Sequence, residues 1–259
     1  MDITTLPQII HNEGVFCNSI KESEYIQKVE EIDIKQCESK QCESNSTLQE
    51  KELKDIRYND IVDCIIANNE SMYHILPSND RHTFCKQKRI ELASKIDEDK
   101  LLFNSYNFNT KFMKQNKIQQ GLQVKNHVSS IYYLNEYYKK HHIVVSRKDN
   151  CYYKTTVKDY EKIYLVYEHN KWVRIDTIES GVEERNLYGL SGFFQDIIIN
   201  DVVVKDNLLI YNLYLQSLSK YKLNDLQLEA QKVGIKITNE KGKAKLKNDL
   251  YREINIKKL

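Results

Sequence analysis

Residues 125–175 read KNHVSSIYYLNEYYKKHHIVVSRKDNCYYKTTVKDYEKIYLVYEHNKWVRI, and a change of period inside this stretch decides the fold class. Val128, Ile131, Tyr132, Leu134 and Tyr138 recur at helical spacing and predict a helix over 125–140 with one broad apolar face. From His142 the period shortens. His142-Ile143-Val144-Val145-Ser146 reads as a strand, Lys148-Asp149-Asn150 as a turn, and Cys151 to Thr156 as the returning strand. A second pair follows, Lys162 to Tyr167 and Lys171 to Ile175, joined at His169-Asn170. A helix followed by two antiparallel hairpins predicts an α+β body. His141-His142 falls where this reading ends the helix, and imidazoles there complement the helix dipole.

Working outward, the body is expected to cover 57–218. A short helix is predicted over 59–67 and is broken at Pro77-Ser78-Asn79-Asp80. Thr83 is the expected N-cap of a helix through Ile96, and Asn109 of another to about Gln120, closed by Gly121. Between Phe193 and Leu218 the apolar runs around Ile197-Ile198-Ile199 and Val202-Val203-Val204 suit strands or a linking helix equally. Residues 1–56 are polar and acidic-leaning. They carry a perfect tandem repeat, Lys35-Gln36-Cys37-Glu38-Ser39 and Lys40-Gln41-Cys42-Glu43-Ser44, and read as a disordered, flexible head.

At the other end, 220–259 predicts a small helical hairpin. Leu223, Leu226, Ala230 and Val233 form one stripe that ends at Gly234-Ile235; Leu246, Leu250 and Ile254 form a second. The connector and second helix carry Lys236, Lys241, Lys243, Lys245, Lys247 and Arg252. The whole chain has a net charge of only +2. Residues 220–259, however, hold eleven Lys/Arg against five Asp/Glu, a net of +6, while 21–60 hold seven against eleven, a net of −4. Such asymmetry points to a polyanion-binding tail.

Composition excludes more than it assigns. Two prolines and seven glycines rule out collagen-like and proline-rich linker classes. No apolar run is long enough to span a membrane, and the first residues lack the pattern of a signal peptide, so a cytoplasmic location is expected. None of the six cysteines forms a CxxC pair, and no zinc pattern completes; reduced thiols and no metal or cofactor are expected. The eighteen tyrosines, with abundant Asn, Ile and Lys, share codons rich in A and T. Tyr132, Tyr133, Tyr137 and Tyr138 are read as core before any base-stacking role. Gly189-x-x-Gly192 lacks the lysine and spacing of a phosphate-binding loop.

The tail pattern Ala230-x-x-Val233-Gly234-Ile235, then Lys243-x-x-Leu246 and Leu250…Ile254, resembles the SAP and Rho-N-terminal group of helix-extended-helix modules. The distance from Gly234 to Leu246 is closer to the Rho-N type. The resemblance covers about forty residues and implies a nucleic-acid partner, DNA or RNA. It implies phosphate contacts from Lys236, Lys241, Lys243, Lys245, Lys247 and Arg252 around the start of the second helix. The alternative reading of the same lysines is a solvated face on a hairpin that docks on protein. The residue bias and the tail together resemble proteins of AT-rich large DNA viruses, which implies a virus factory or virion location and viral structural partners.

In the body, the strand at 143–145, the hairpin after it and Ile163 to His169 resemble the C-terminal half of OTU-like, papain-fold cysteine peptidases. That resemblance implies a nucleophile–base pair of Cys85 and His169. Three functions are therefore expected, in this order. The first is a non-enzymatic nucleic-acid-binding protein for genome packaging or late gene expression. The second is a structural virion or scaffold protein whose tail docks on protein, and the third an active or degenerate peptidase.

Overall fold

The computed structural model describes residues 60–124 and 126–259; the expected head at 1–56 lies outside them. The described residues fall within one compact unit. A wall of helices precedes a five-stranded sheet, and a helical hairpin closes the chain. The α+β class is what the sequence predicts.

Helix α1 (Ile61–Asn69) is apolar nearly all round and buries Ile61, Val62, Cys64, Ile65, Ile66 and Ala67, as a helix sunk in a core must. Its one acid, Asp63, meets Arg89 at 2.6 Å, and Asp60 meets the same guanidinium at 2.9 Å. After the short α2 (Ser71–Ile75), helix α3 (Ser78–Glu98) buries Cys85, Arg89, Leu92, Ala93 and Ile96. It starts five residues before the expected cap at Thr83. Pro77 is the N-cap, with φ −54°, and a proline suits a helix start because its missing N–H would have no partner there. Ser78-Asn79-Asp80 is thus the first turn rather than a break.

Helix α4 (Lys100–Ser105) leads to a turn at Asn109, which caps no helix. Its side chain accepts from Lys111 N at 3.1 Å and its carbonyl from Met113 N at 2.9 Å. Helix α5 (Gln115–Gln123) begins later and runs through Gly121. That glycine is a contact residue: a Cβ there would lie 2.2 Å from Ser130 Oγ and 2.6 Å from His127 Cβ. Gly121→Ala is expected to cost about 1–3 kcal/mol through overpacking, read as a lowered urea midpoint. An unchanged midpoint would mean that α5 and its neighbour separate freely.

That neighbour, α6 (Val128–Tyr138), is the central helix, buried from Val128 to Glu136. Asp201 covers its N-terminus by accepting from Ser129 N at 3.0 Å and from the Ser129 hydroxyl. Lys139 ends it in the left-handed conformation, φ 53°, and the chain enters β1 (Lys140–Ser146). His141 and His142 belong to this strand and not to the helix end.

The strands β2 (Cys151–Lys154), β3 (Glu161–Glu168), β4 (Lys171–Ile175) and β5 (Glu183–Asn186) complete a sheet of order β4-β3-β1-β2-β5. Both expected hairpins are present, β1·β2 and β3·β4, each antiparallel. His169 and Asn170 both take positive φ, 49° and 61°, as a tight two-residue hairpin turn requires. Two pairings are additions. β1 pairs parallel with β3, and β2 pairs parallel with β5. The segment 155–160 carries the chain past the start of β1, where Thr155 Oγ1 donates to His142 O at 2.6 Å.

Alternation along the strands divides the sheet. Val144, Tyr153, Leu165 and Trp172 join the main core under the helices, while Ile143, Val145 and Val166 form a smaller cluster on the other face. Between Phe193 and Leu218 there is a helix, α7 (Gly192–Ile197), and no strand. Ile198, Val202, Val204 and Tyr211 enter the core from irregular chain and Ile210 from a 3-10 turn, Asn207–Ile210, held by isolated bridges at Ile199 and Tyr211.

The tail forms its predicted hairpin, α8 (Leu223–Lys232) and α9 (Lys247–Lys257). Leu226, Ala230, Leu250 and Ile254, with Leu215, make a core of their own. Gly234, at φ 71°, ends α8 with Ile235 N bonded to Ala230 O at 2.8 Å and Gly234 N to Gln231 O at 3.1 Å, the double bond of a glycine-terminated helix. Leu246 is not part of the second stripe. It precedes α9 and is 71% exposed. Among the described residues no helix is long and apolar enough to cross a membrane.

Candidate nucleic-acid interface

The connector between α8 and α9 is built by one asparagine. Asn239 Oδ1 accepts from Lys241 N at 3.1 Å and Lys243 N at 3.0 Å, and its carbonyl accepts from Gly242 N at 3.0 Å. Gly242 takes φ 72°, which closes the turn at little steric cost. A bridge between Thr238 and Ala244 and the bond from Lys245 N to Ile237 O, 2.9 Å, zip the two arms together. The lysines are thus carried on a fixed hairpin with Lys241 at its tip.

Three of the six expected cations converge. Lys236, Lys241 and Lys245 line one open cleft of about 700 Å³ together with Thr238, Asn239, Glu240 and Glu253. Lys243 and Lys247 lie outside its lining. Lys236, Lys241, Lys243 and Lys247 have no carboxylate partner among the described residues. The other two cations are engaged. Lys245 Nζ sits 2.6 Å from Glu253 Oε2, and Arg252 pairs with Asp206 across to the body. Arg252 therefore works with Asn255, which accepts from Leu215 N at 2.9 Å, in anchoring α9. No aromatic ring lines the cleft. Bases find no stacking surface there, and the chemistry offered is that of ammonium groups toward oxyanions.

The resemblance to helix-extended-helix modules puts phosphate at the start of the second helix. Helix α9 begins at Lys247 after Leu246, and no side chain caps it, so its first N–H groups and dipole add to the positive field beside the cleft. Sequence reasoning did not find Glu240 and Glu253 as cleft residues. The signal that locates the turn is Asn239-Glu240-Lys241-Gly242, with asparagine first and glycine last.

The second expected site is arranged otherwise. Cys85 is 2% exposed in the core face of α3, and burial, followed by Asp63, pushes its thiol up to about 12. A nucleophilic cysteine needs the opposite shift. His169 is on the exposed β3–β4 turn, and no hydrogen bond or ion pair joins it to Cys85. The structure does not bring the two together as a nucleophile–base pair. Among the described residues no three His, Cys, Asp or Glu side chains converge as metal ligands. Tyr132 and Tyr133 are core residues, with Tyr137 and Tyr138 half-buried against that core.

The body's most concentrated polar cluster went unread in the sequence. Glu136 is fully buried and accepts from Tyr211 OH at 2.7 Å, Lys158 Nζ at 2.8 Å and Tyr160 OH at 3.0 Å. Burial first, and then the Glu136 charge, raise both phenols. Every oxygen of the carboxylate is engaged, which makes this a structural joint.

Neither a family model, nor a curated protein, nor a solved structure matches the chain.

Proposed function

We propose that this chain is a nucleic-acid-binding protein that grips phosphates through its C-terminal hairpin. The observation that carries the reading is the convergence of Lys236, Lys241 and Lys245 on one open cleft without an aromatic residue. Lys243 and Lys247 extend the positive surface beside it. Binding of this kind positions a chain on a backbone and is indifferent to sequence.

Its signature is salt. Each neutralised phosphate contributes close to one unit of slope in log affinity against log salt on a duplex, and each lysine lost lowers that slope by about one. Full-length protein is expected to bind labelled duplex DNA or single-stranded RNA with a steep salt dependence. The pair Lys236→Ala and Lys241→Ala should reduce the slope by about two. Absence of binding near physiological salt by the intact chain would remove the reading.

A specific observation favours the protein-docking alternative. Leu228 and Leu246 of the hairpin are 59% and 71% exposed. A hairpin that docks through them would hold its partner with little dependence on salt.

A further inference from the structure

Glu253 is out of place in a cleft built to attract anions. It stands on the second turn of α9, facing the connector, and holds the one lysine of the cleft that has a partner. The Lys245 side chain is 16% exposed and that of Glu253 40%, so a ligand can reach the carboxylate side of the pair. The second acid in the lining, Glu240, lies at the connector tip and pairs with no lysine among the described residues. The cleft thus offers two free ammonium groups and a third already held.

We infer that Glu253 is an internal competitor for the phosphate that the cleft receives. It occupies Lys245 in the free protein and yields it to a phosphate oxygen on binding. The inference rests on the nucleic-acid reading above and adds its regulation. Two anions cannot share one ammonium group closely without repelling each other, and an ion pair whose carboxylate is 40% exposed can be exchanged. The exchange leaves Glu253 as a fixed negative charge beside the bound phosphate. Affinity is therefore held below what the three lysines alone would give, and binding depends on several phosphates acting together. A single small anion gains little.

The test uses the full chain and a short mixed-sequence DNA duplex, with circular dichroism as the check on folding. Glu253→Gln keeps the side-chain length and removes the charge, and it is expected to tighten binding about five-fold. Glu240→Gln should change affinity about two-fold or less. Lys245→Ala, made in both backgrounds, decides the mechanism. If the gain from Glu253→Gln vanishes when Lys245 is alanine, the competition runs through that pair. An equal gain in both backgrounds would show a general field effect and overturn the inference. No gain, with Lys236→Ala and Lys241→Ala still weakening binding, would overturn it and leave the nucleic-acid reading standing. If neither the wild-type protein nor any variant binds duplex DNA or single-stranded RNA, both fall together.

Discussion

Glu136→Ala is expected to lower the folding free energy by about 3–5 kcal/mol, the largest single-residue effect in the body. The reason is what remains after the carboxylate goes. Lys158, with its side chain 11% exposed, loses its buried counter-ion. The phenols of Tyr160 and Tyr211 lose their acceptor, and Thr156, 2.8 Å from Tyr211 OH, is left against an unanchored ring. An uncompensated buried ammonium and an unpaired phenol donor at Tyr160 are each costly, and Tyr211 OH keeps only Thr156 Oγ1 as a partner. Glu136 and these partners come from three separate places in the chain: the end of α6, the crossing segment at 155–160 and the bridge residue Tyr211. Losing Glu136 therefore loosens the joint between helix, sheet and the run beyond α7. Glu136→Gln keeps one good acceptor and should cost less, about 1–3 kcal/mol. Urea unfolding at neutral pH measures both, with the slope unchanged if only stability moves. A shift under about 1 kcal/mol for the alanine variant would mean that the cluster is not a joint.

The elements that sequence reveals are those whose signal is local. The hairpins at 142–156 and 162–175 were legible because alternation and turn residues lie within a few positions of each other. The parallel pairing of β1 with β3 was not, since it depends on where the segment 155–160 crosses. Strand β5, Glu183–Asn186, has no apolar residue; it pairs with β2 through backbone and through Glu184, which meets Tyr152 and Lys154, and no hydrophobic period can report that. The runs at 197–204 did not separate strand from helix, for the converse reason. Ile198, Val202 and Val204 are apolar because they fill core space, and that core space is reached by irregular chain. Gly121 suggested a helix end, yet its lack of a Cβ answers the close approach of His127 and Ser130.

The candidate site was legible to the level of charge but not of geometry. Counting lysines located the tail, and the turn chemistry of Asn239 and Gly242 explains how they are presented. Counting could not sort free cations from engaged ones. Arg252 meets Asp206, forty-six residues earlier, and Lys245 meets Glu253, eight residues later. The unpaired cations of the hairpin are therefore fewer than the sequence count, because two carboxylates that a net charge hides hold Lys245 and Arg252.

Acidification should unfold this protein through two histidines. His142 is fully buried, with Nδ1 2.8 Å from Asn135 Oδ1 and Nε2 2.9 Å from Asn69 Nδ2. Asn135 Nδ2 donates to Thr155 Oγ1 at 2.8 Å, which turns its Oδ1 to His142; Asn69 Nδ2 also donates to Ile65 O at 2.7 Å. The ring is thereby assigned one proton, on Nδ1, and a second on Nε2 would point at the Asn69 amide hydrogens. His141 uses Nε2 to accept from Thr155 N at 3.2 Å. Burial is the main cause that lowers both rings, His141 to about 4 and His142 to about 3, against an ordinary 6.5. Lys154 and Lys162 add to the effect on His141, and His141 itself and Lys140 to that on His142.

Because the folded values lie below the unfolded one, the unfolded chain takes up protons first as the pH drops. Stability from these rings is complete above about pH 6.5 and is lost from there down to about pH 4 for His141 and about pH 3 for His142, at roughly 1.4 kcal/mol per pH unit for each ring. By pH 5 the pair should have removed about 4 kcal/mol, a large share of the about 5–15 kcal/mol typical of a domain. Urea midpoints at pH 7.5 and pH 5 measure the loss, and imidazole resonances show which form each ring holds. Midpoints that agree within error, or a His141 or His142 imidazole that titrates near pH 6.5 in the folded protein, would mean that these rings exchange protons freely in the native state.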